Sequence, residues 1–229
     1  MEDNRQIFSM LSALLDYPDQ ALVDALAGIR SALVEHRGFP PVTRAALLDL
    51  VDRLSARPLL DLQEDYVETF DRGRATSLYL FEHVHGESRE RGQAMVDLLA
   101  MYEAKGLFLS ASELPDYLPV FLEFLAHETS AQAHALLGEI ADINRQIATR
   151  LAERGTPYFA AVAALLPLAG EAPLVDASTA TCDAATMHEI DSEALDREWQ
   201  EEPVSFMGAQ APVSTQPQTV QFYDKRPPR

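Results

Sequence analysis

One cysteine, Cys182, is all the chain contains. That excludes an internal disulfide, a zinc site built on several thiolates, and an iron-sulfur cluster held by this chain alone. Glycine is scarce, 10 in 229 residues, and no Gly-rich phosphate loop occurs. HExxH, GxSxG and CxxC are missing too, so the usual signatures of zinc protease, serine hydrolase and thiol redox chemistry are absent. Arg72-Gly73-Arg74 has neither the preceding strand nor the Lys-Ser/Thr of a nucleotide-binding loop. Cations are half as many as anions, 18 Lys and Arg against 36 Asp and Glu, for a net charge of -18. A polyanionic partner needs surplus cations to neutralise its phosphates, which argues against nucleic acid and against an anionic membrane surface. The longest apolar run, 159–170, is too short to span a bilayer and is interrupted by Pro167. The opening MEDNRQIFSMLSALLDYPD lacks a basic region followed by an unbroken apolar segment, so a cytoplasmic location is expected.

What remains is rich in Ala and Leu and periodic. Ile7, Leu11 and Leu14 share one helical face, as do Leu22, Leu26, Ile29 and Leu33, then Leu47, Leu50, Val51 and Leu54, then Leu59, Leu62, Tyr66 and Phe70. Met95, Leu98, Leu99 and Tyr102 repeat the pattern, with Gly106 placed to end that helix. The irregular GLFLSASELPDYLP then predicts a loop or hinge near 106–116. Leu118, Phe121, Leu122 and Leu125 restart a helix in which Pro119 is tolerable only in the first turn, with Asp116 as the natural cap. Leu136 to Leu151 reads as one long helix ending near Gly155, and Phe159 to Leu166 as a shorter one. The fold class is therefore all-α: a single helical bundle over 1–170, either undivided or in two lobes about that hinge. An Ala, Thr, Ser and Asp-rich linker is expected over 171–185 and an acidic helix over 186–203, opened by the Thr186 and Glu189 capping box. Residues 204–229 are expected to be a disordered tail, since their prolines, Gln and Thr offer too little apolar surface to offset chain entropy.

One stretch stands apart: FDRGRATSLYLFEHVHGESRERGQ, residues 70–93, carries four arginines, two histidines and an aromatic-aliphatic run. His83, His85, Glu82 and Glu87 form a donor set that zinc or iron accepts, but no second pair at matching spacing accompanies it. Hydrogen bonding of both rings to backbone or to neighbouring charged groups is the favoured reading. Arg72, Arg74, Arg89 and Arg91 either form a basic island or pair with Asp65, Glu68, Asp71, Glu82, Glu87, Glu90 and Asp97, and pairing is favoured. Leu78, Tyr79, Leu80 and Phe81 suit a core, with a portion left to line a groove.

Residues 66–99, YVETFDRGRATSLYLFEHVHGESRERGQAMVDLL, together with LLDYPD at 14–19 and ELPDYLPVFLEFL at 113–125, resemble the NarJ family of respiratory nitrate reductase delta subunits, within the TorD-like molybdoenzyme chaperones. The resemblance covers residues 1 to about 203. It implies a non-catalytic, all-helical cytoplasmic chaperone with no stably bound cofactor. Its client would be the catalytic (alpha) subunit of nitrate reductase, bound before molybdenum cofactor insertion and partly through a basic N-terminal peptide. The membrane would be reached only through the client, and the working form would be a monomer or weak dimer. The site this implies comprises Phe70, Tyr79, Leu80 and Phe81 as apolar wall, Asp71, Glu82 and Glu87 as counter-charges, and Arg72 and Arg74 holding the loop. His83, His85, Asp116, Tyr117 and Phe121 complete it. The family's hinge motif, an acidic residue, Pro, a variable position and Asp-His, meets Glu113, Pro115, Asp116 and Tyr117 loosely, with Tyr117 in place of the His. The alternative is a protein that handles metal or pterin cofactor through His83, His85 and the arginine cluster.

Overall fold

A computed structural model describes residues 2–84, 89–109 and 113–174. His85, Glu87, the acidic helix 186–203, the tail 204–229 and the expected linker beyond residue 174 lie outside the described residues; 171–174 are non-helical. The described helices are α1 (Glu2–Leu15), α2 (Gln20–Glu35), α3 (Pro41–Ser55), α4 (Leu59–Tyr66), α5 (Leu80–Val84), α6 (Arg89–Ala104), α7 (Leu118–Ala126), α8 (Ser130–Glu139), α9 (Ala141–Glu153), α10 (Phe159–Ala163) and α11 (Leu165–Leu168). A π-helical turn, Val67–Asp71, extends α4, and a short 3-10 turn, Arg74–Thr76, follows it.

Local chemistry sets the ends. The Asp19 carboxylate accepts from the Leu22 N–H at 2.8 Å and caps α2. Thr129 does the same for α8 through the Gln132 N–H. Pro41 opens α3, and Pro119 lies in the first turn of α7, where a missing N–H breaks no helical bond. Gly106 has φ 76° just past α6, and the Leu107 N–H returns to the Tyr102 carbonyl at 3.1 Å, closing that helix as the sequence pattern predicts.

One core runs through the bundle, and α1 packs along α7 although a hundred residues of chain separate them. Leu14, Leu47, Leu50, Leu122, Leu125, Leu151 and Leu165 have no exposed surface. Each contributes on the order of 1.5–3 kcal/mol by leaving water. Residues on both sides of 106–116 share this core, so the bundle is undivided. A buried bond from the Ser12 hydroxyl to the Pro119 carbonyl, 2.8 Å, fixes α1 against the start of α7.

Two expectations need correction. Leu136 to Leu151 is not one helix: the backbone breaks at Ile140 (φ -107°, ψ 9°), which ends α8 and starts α9. Gly138 weakens helix there, and burial of Leu137 on one side and Ile147 and Leu151 on the other rewards the redirected axis. Nor does Asp116 cap α7. The residue at that end is Tyr117, and the Asp116 carboxylate turns to a different element.

Candidate functional site

The segment from Phe70 to Arg91 is built on the turn after α4. Thr69 is the keystone: its carbonyl accepts from the Thr76 hydroxyl at 2.6 Å and from Arg154 at 2.9 Å, and Arg154 also donates to the Thr76 oxygen at 2.9 Å. The chain then runs extended past Leu78 and Tyr79 and pairs antiparallel with the end of the 113–117 turn. Leu80 N–H donates to the Asp116 carbonyl at 2.9 Å, and Leu118 N–H to the Leu78 carbonyl at 2.8 Å. Two motifs distant in the sequence are thereby clamped together. Helix periodicity gives no signal for a single bridge of this kind, so the sequence reading missed it.

Asp116 sits beneath this clamp with no exposed surface. Its Oδ2 accepts from the Phe81 N–H at 3.1 Å, so it satisfies the start of α5 rather than that of α7. Burial pushes its carboxyl above the usual range, against the opposing pull of that N–H and of Arg91. Tyr117 is buried as well. Its hydroxyl lies 2.6 Å from the Tyr66 hydroxyl and 3.2 Å from Asp16 Oδ1, while Tyr66 reaches the Leu15 carbonyl at 2.8 Å. Two phenolic protons thus serve three oxygen contacts that tie α1, α4 and α7 together. Burial raises both phenols well beyond the ordinary tyrosine range. Where the family pattern has an imidazole, this chain has a proton donor that stays neutral.

Above the clamp lies an open cavity of about 520 Å³ lined by Phe70, Asp71, Gly73, Arg74, Ser77, Glu82 and Arg91. Arg74 donates through Nε (3.0 Å) and Nη2 to the Glu82 carbonyl. Arg91 reaches toward Glu82 Oε1 and Asp116 Oδ2, 3.8 Å from each. Half-buried Tyr79 stacks on Tyr117, ring centroids 5.2 Å apart. Its phenol is raised by burial and then by the negative field of Glu113, Asp116, Asp71 and Glu82. Carboxylates from three separate stretches thus contribute to the negative field at the Tyr79 phenol.

Other site candidates fall elsewhere. Leu80 and Phe121 are buried in the core and are not among the cavity's lining residues, whereas Phe70, though buried, lines the cavity. Phe81 is half-buried and Arg72 exposed. His83 points away from the cavity: its Nε2 lies 2.9 Å from the Ser77 carbonyl, beside a separate hollow with Arg145, Thr149 and Arg150. Among the described residues no group of three or more His, Cys, Asp or Glu side chains is placed to hold a metal ion. Gly73 and Ser77 join the cavity lining without having been expected there. Arg91 joins it as an ion-pair partner of Glu82, the pairing the sequence favoured.

Comparisons with known proteins identify the family. The nitrate reductase delta subunit pattern matches residues 36–164, which include the cavity, the clamp and Asp116. The chain is 45% identical to the nitrate reductase molybdenum cofactor assembly chaperone NarW of Escherichia coli K12, over 88% of this chain and 84% of that one. It is 44% identical to the chaperone NarJ of the same strain, over 86% and 83%. A Bacillus subtilis NarJ is 36% identical over 68% of this chain and 84% of its own. These relatives are assembly chaperones rather than enzymes. A redox enzyme maturation protein of Archaeoglobus fulgidus has the same fold, with a TM-score of 0.51 at 22% identity, covering 70% of this chain and 90% of that one. On the match to residues 36–164 and these identities, the chain belongs to the nitrate reductase delta subunit family.

Proposed function

We propose that this protein is a client-specific chaperone of respiratory nitrate reductase assembly. It binds the catalytic subunit in the cytoplasm, as a monomer or weak dimer, and keeps it open for molybdenum cofactor insertion. The cofactor belongs to the client, and the chaperone holds none stably. Part of the grip falls on the client's basic N-terminal peptide, which lies across Tyr79 and the cavity bounded by Asp71, Glu82 and Arg91. The observation that carries this reading is the open cavity lined by Asp71, Glu82, Arg74 and Arg91, together with the half-buried Tyr79, whose phenol lies in the negative field of Glu113, Asp116, Asp71 and Glu82. An aromatic platform in a negative field suits a peptide that alternates apolar and cationic side chains. Tyr79, Phe81 and the exposed Val84 and Leu114 join Phe70 as apolar contacts, in place of the buried Leu80. A few such anchors, at about 1.5–3 kcal/mol each before ordering costs, suffice for micromolar binding to a preformed groove.

The test is calorimetric titration of the full chain with a synthetic peptide of the catalytic subunit's N-terminus. Binding to the wild type, weakened about tenfold or more in Glu82→Lys with the helical circular dichroism signal unchanged, supports the reading. Equal binding by both would remove the cavity from it, and loss of helicity would mark Glu82 as structural.

A further inference from the structure

The cavity already contains a cation, and its bonding is incomplete. Arg91 Nη2 is 3.8 Å from both Glu82 Oε1 and Asp116 Oδ2, attracted by each but beyond hydrogen-bonding distance of either. Its Nε is buried with no hydrogen-bond partner among the described residues, and so is Asp116 Oδ1. A guanidinium normally satisfies its donors in a fork with a carboxylate. Here one sits between two carboxylates and completes a fork with neither. Its place on the helix is unfavourable too: Arg91 stands in the first turn of α6, where the partial positive charge of the helix end repels a cation. The neighbouring cation, Arg74, is committed to the Glu82 carbonyl and does not compete for its carboxylate.

We propose that Arg91 is a built-in competitor for the client's cationic side chain. It occupies the seat between Glu82 and Asp116 while the chaperone is empty, and an arginine or lysine of the client displaces it outward through the open cavity. This rests on the client-peptide reading above. The seat stays neutralised in the free protein, and only a peptide that brings its own cation recovers the hydrogen bonds that Arg91 leaves unmade. Basic peptides are thereby selected over merely apolar ones.

The experiment compares wild type, Arg91→Gln and Arg91→Lys in calorimetric titration against two synthetic peptides. One is the basic N-terminus of the catalytic subunit, and the other is the same peptide with every Arg and Lys changed to Gln. Arg91→Gln is expected to bind the basic peptide about fivefold tighter than wild type, the scale of one partly exposed ion pair. Arg91→Lys, which keeps the competing charge, is expected to match wild type. The gain should vanish on the neutral peptide. Unchanged or weaker binding by a folded Arg91→Gln variant would overturn the proposal, as would an equal gain on both peptides. If neither wild type nor variant binds the basic peptide, the client-peptide reading falls and the competitor with it. A readout independent of substitution is the Arg91 Nε–H resonance of the wild type. It should move to the solvent-exposed position on saturation with basic peptide, and a resonance that stays put would overturn displacement.

Discussion

Asp116 is a carboxylate with no exposed surface, half of whose hydrogen-bonding capacity is used. Its folded-state pKa is raised, chiefly by burial, above the unfolded value. The folded protein therefore takes up this proton more readily than the unfolded chain, and the charged form costs stability at neutral pH. That cost fades as pH falls through the raised folded-state value. Asp116→Asn is accordingly expected to leave the thermal midpoint at neutral pH no lower than wild type, with any advantage shrinking toward acid pH. A marked loss at neutral pH would show instead that Arg91 depends on the charge. Tyr117 is expected to matter through its hydroxyl: Tyr117→Phe should lose about 1 kcal/mol in urea unfolding, since Asp16 and Tyr66 both lose a partner. Peptide affinity should change little, because the hydroxyl faces α1 and α4 rather than the cavity. The sequence singled out both residues correctly as special, yet assigned Asp116 to the wrong helix. A carboxylate one position before a helix looks like its cap, and only the bridge between residues 78–80 and 116–118 carries it to α5.

At the scale of elements, the stripes of α1 to α4 and α7 were legible because a buried helix must place apolar residues three or four apart, and these do. The start of α7 at Pro119 and the end of α6 at Gly106 were legible for the same local reason, since each acts within its own turn, whereas the Asp19 cap of α2 was not singled out. The break at Ile140 was not, since apolar spacing continues across it and only packing of α9 against α10 redirects the chain. α6 is the least enclosed long helix, with Tyr102 its one buried side chain among those described and Val96 exposed at 60%. Its ends are tied by Arg91 and by Lys105, which reaches the nearly buried Glu128 at 2.8 Å. Two substitutions separate local from packing terms. Gly106→Ala meets no neighbour but forces Ala into left-handed backbone, and should cost about 1–2 kcal/mol. Leu122→Ala, between α7 and α1, should cost about 2–5 kcal/mol by leaving a cavity in the core. Chemical denaturation of both variants checks the order, and a Gly106→Ala loss exceeding that of Leu122→Ala would contradict it.

For the whole molecule, the net charge is -18, and two of its carboxylates, Asp71 and Glu82, line the open cavity. No helix among the described residues is long and apolar enough to cross a membrane. Composition alone fitted mere solubility as well as a basic partner. The bridge between residues 78–80 and 116–118 was invisible because it depends on long-range pairing. The metal-handling alternative makes a different demand: protein purified without a histidine tag should carry stoichiometric zinc or iron. With His83 turned to the Ser77 carbonyl, substoichiometric traces are expected instead, and one metal per chain by mass spectrometry would restore that alternative. The central claim, a chaperone dedicated to one catalytic subunit, is tested most directly by recovering the tagged chain from cells grown anaerobically on nitrate. The co-purifying proteins are then identified and quantified by mass spectrometry. Recovery of the nitrate reductase catalytic subunit in about equimolar amount is the expected result, and its absence from cells shown to express the reductase would contradict the account.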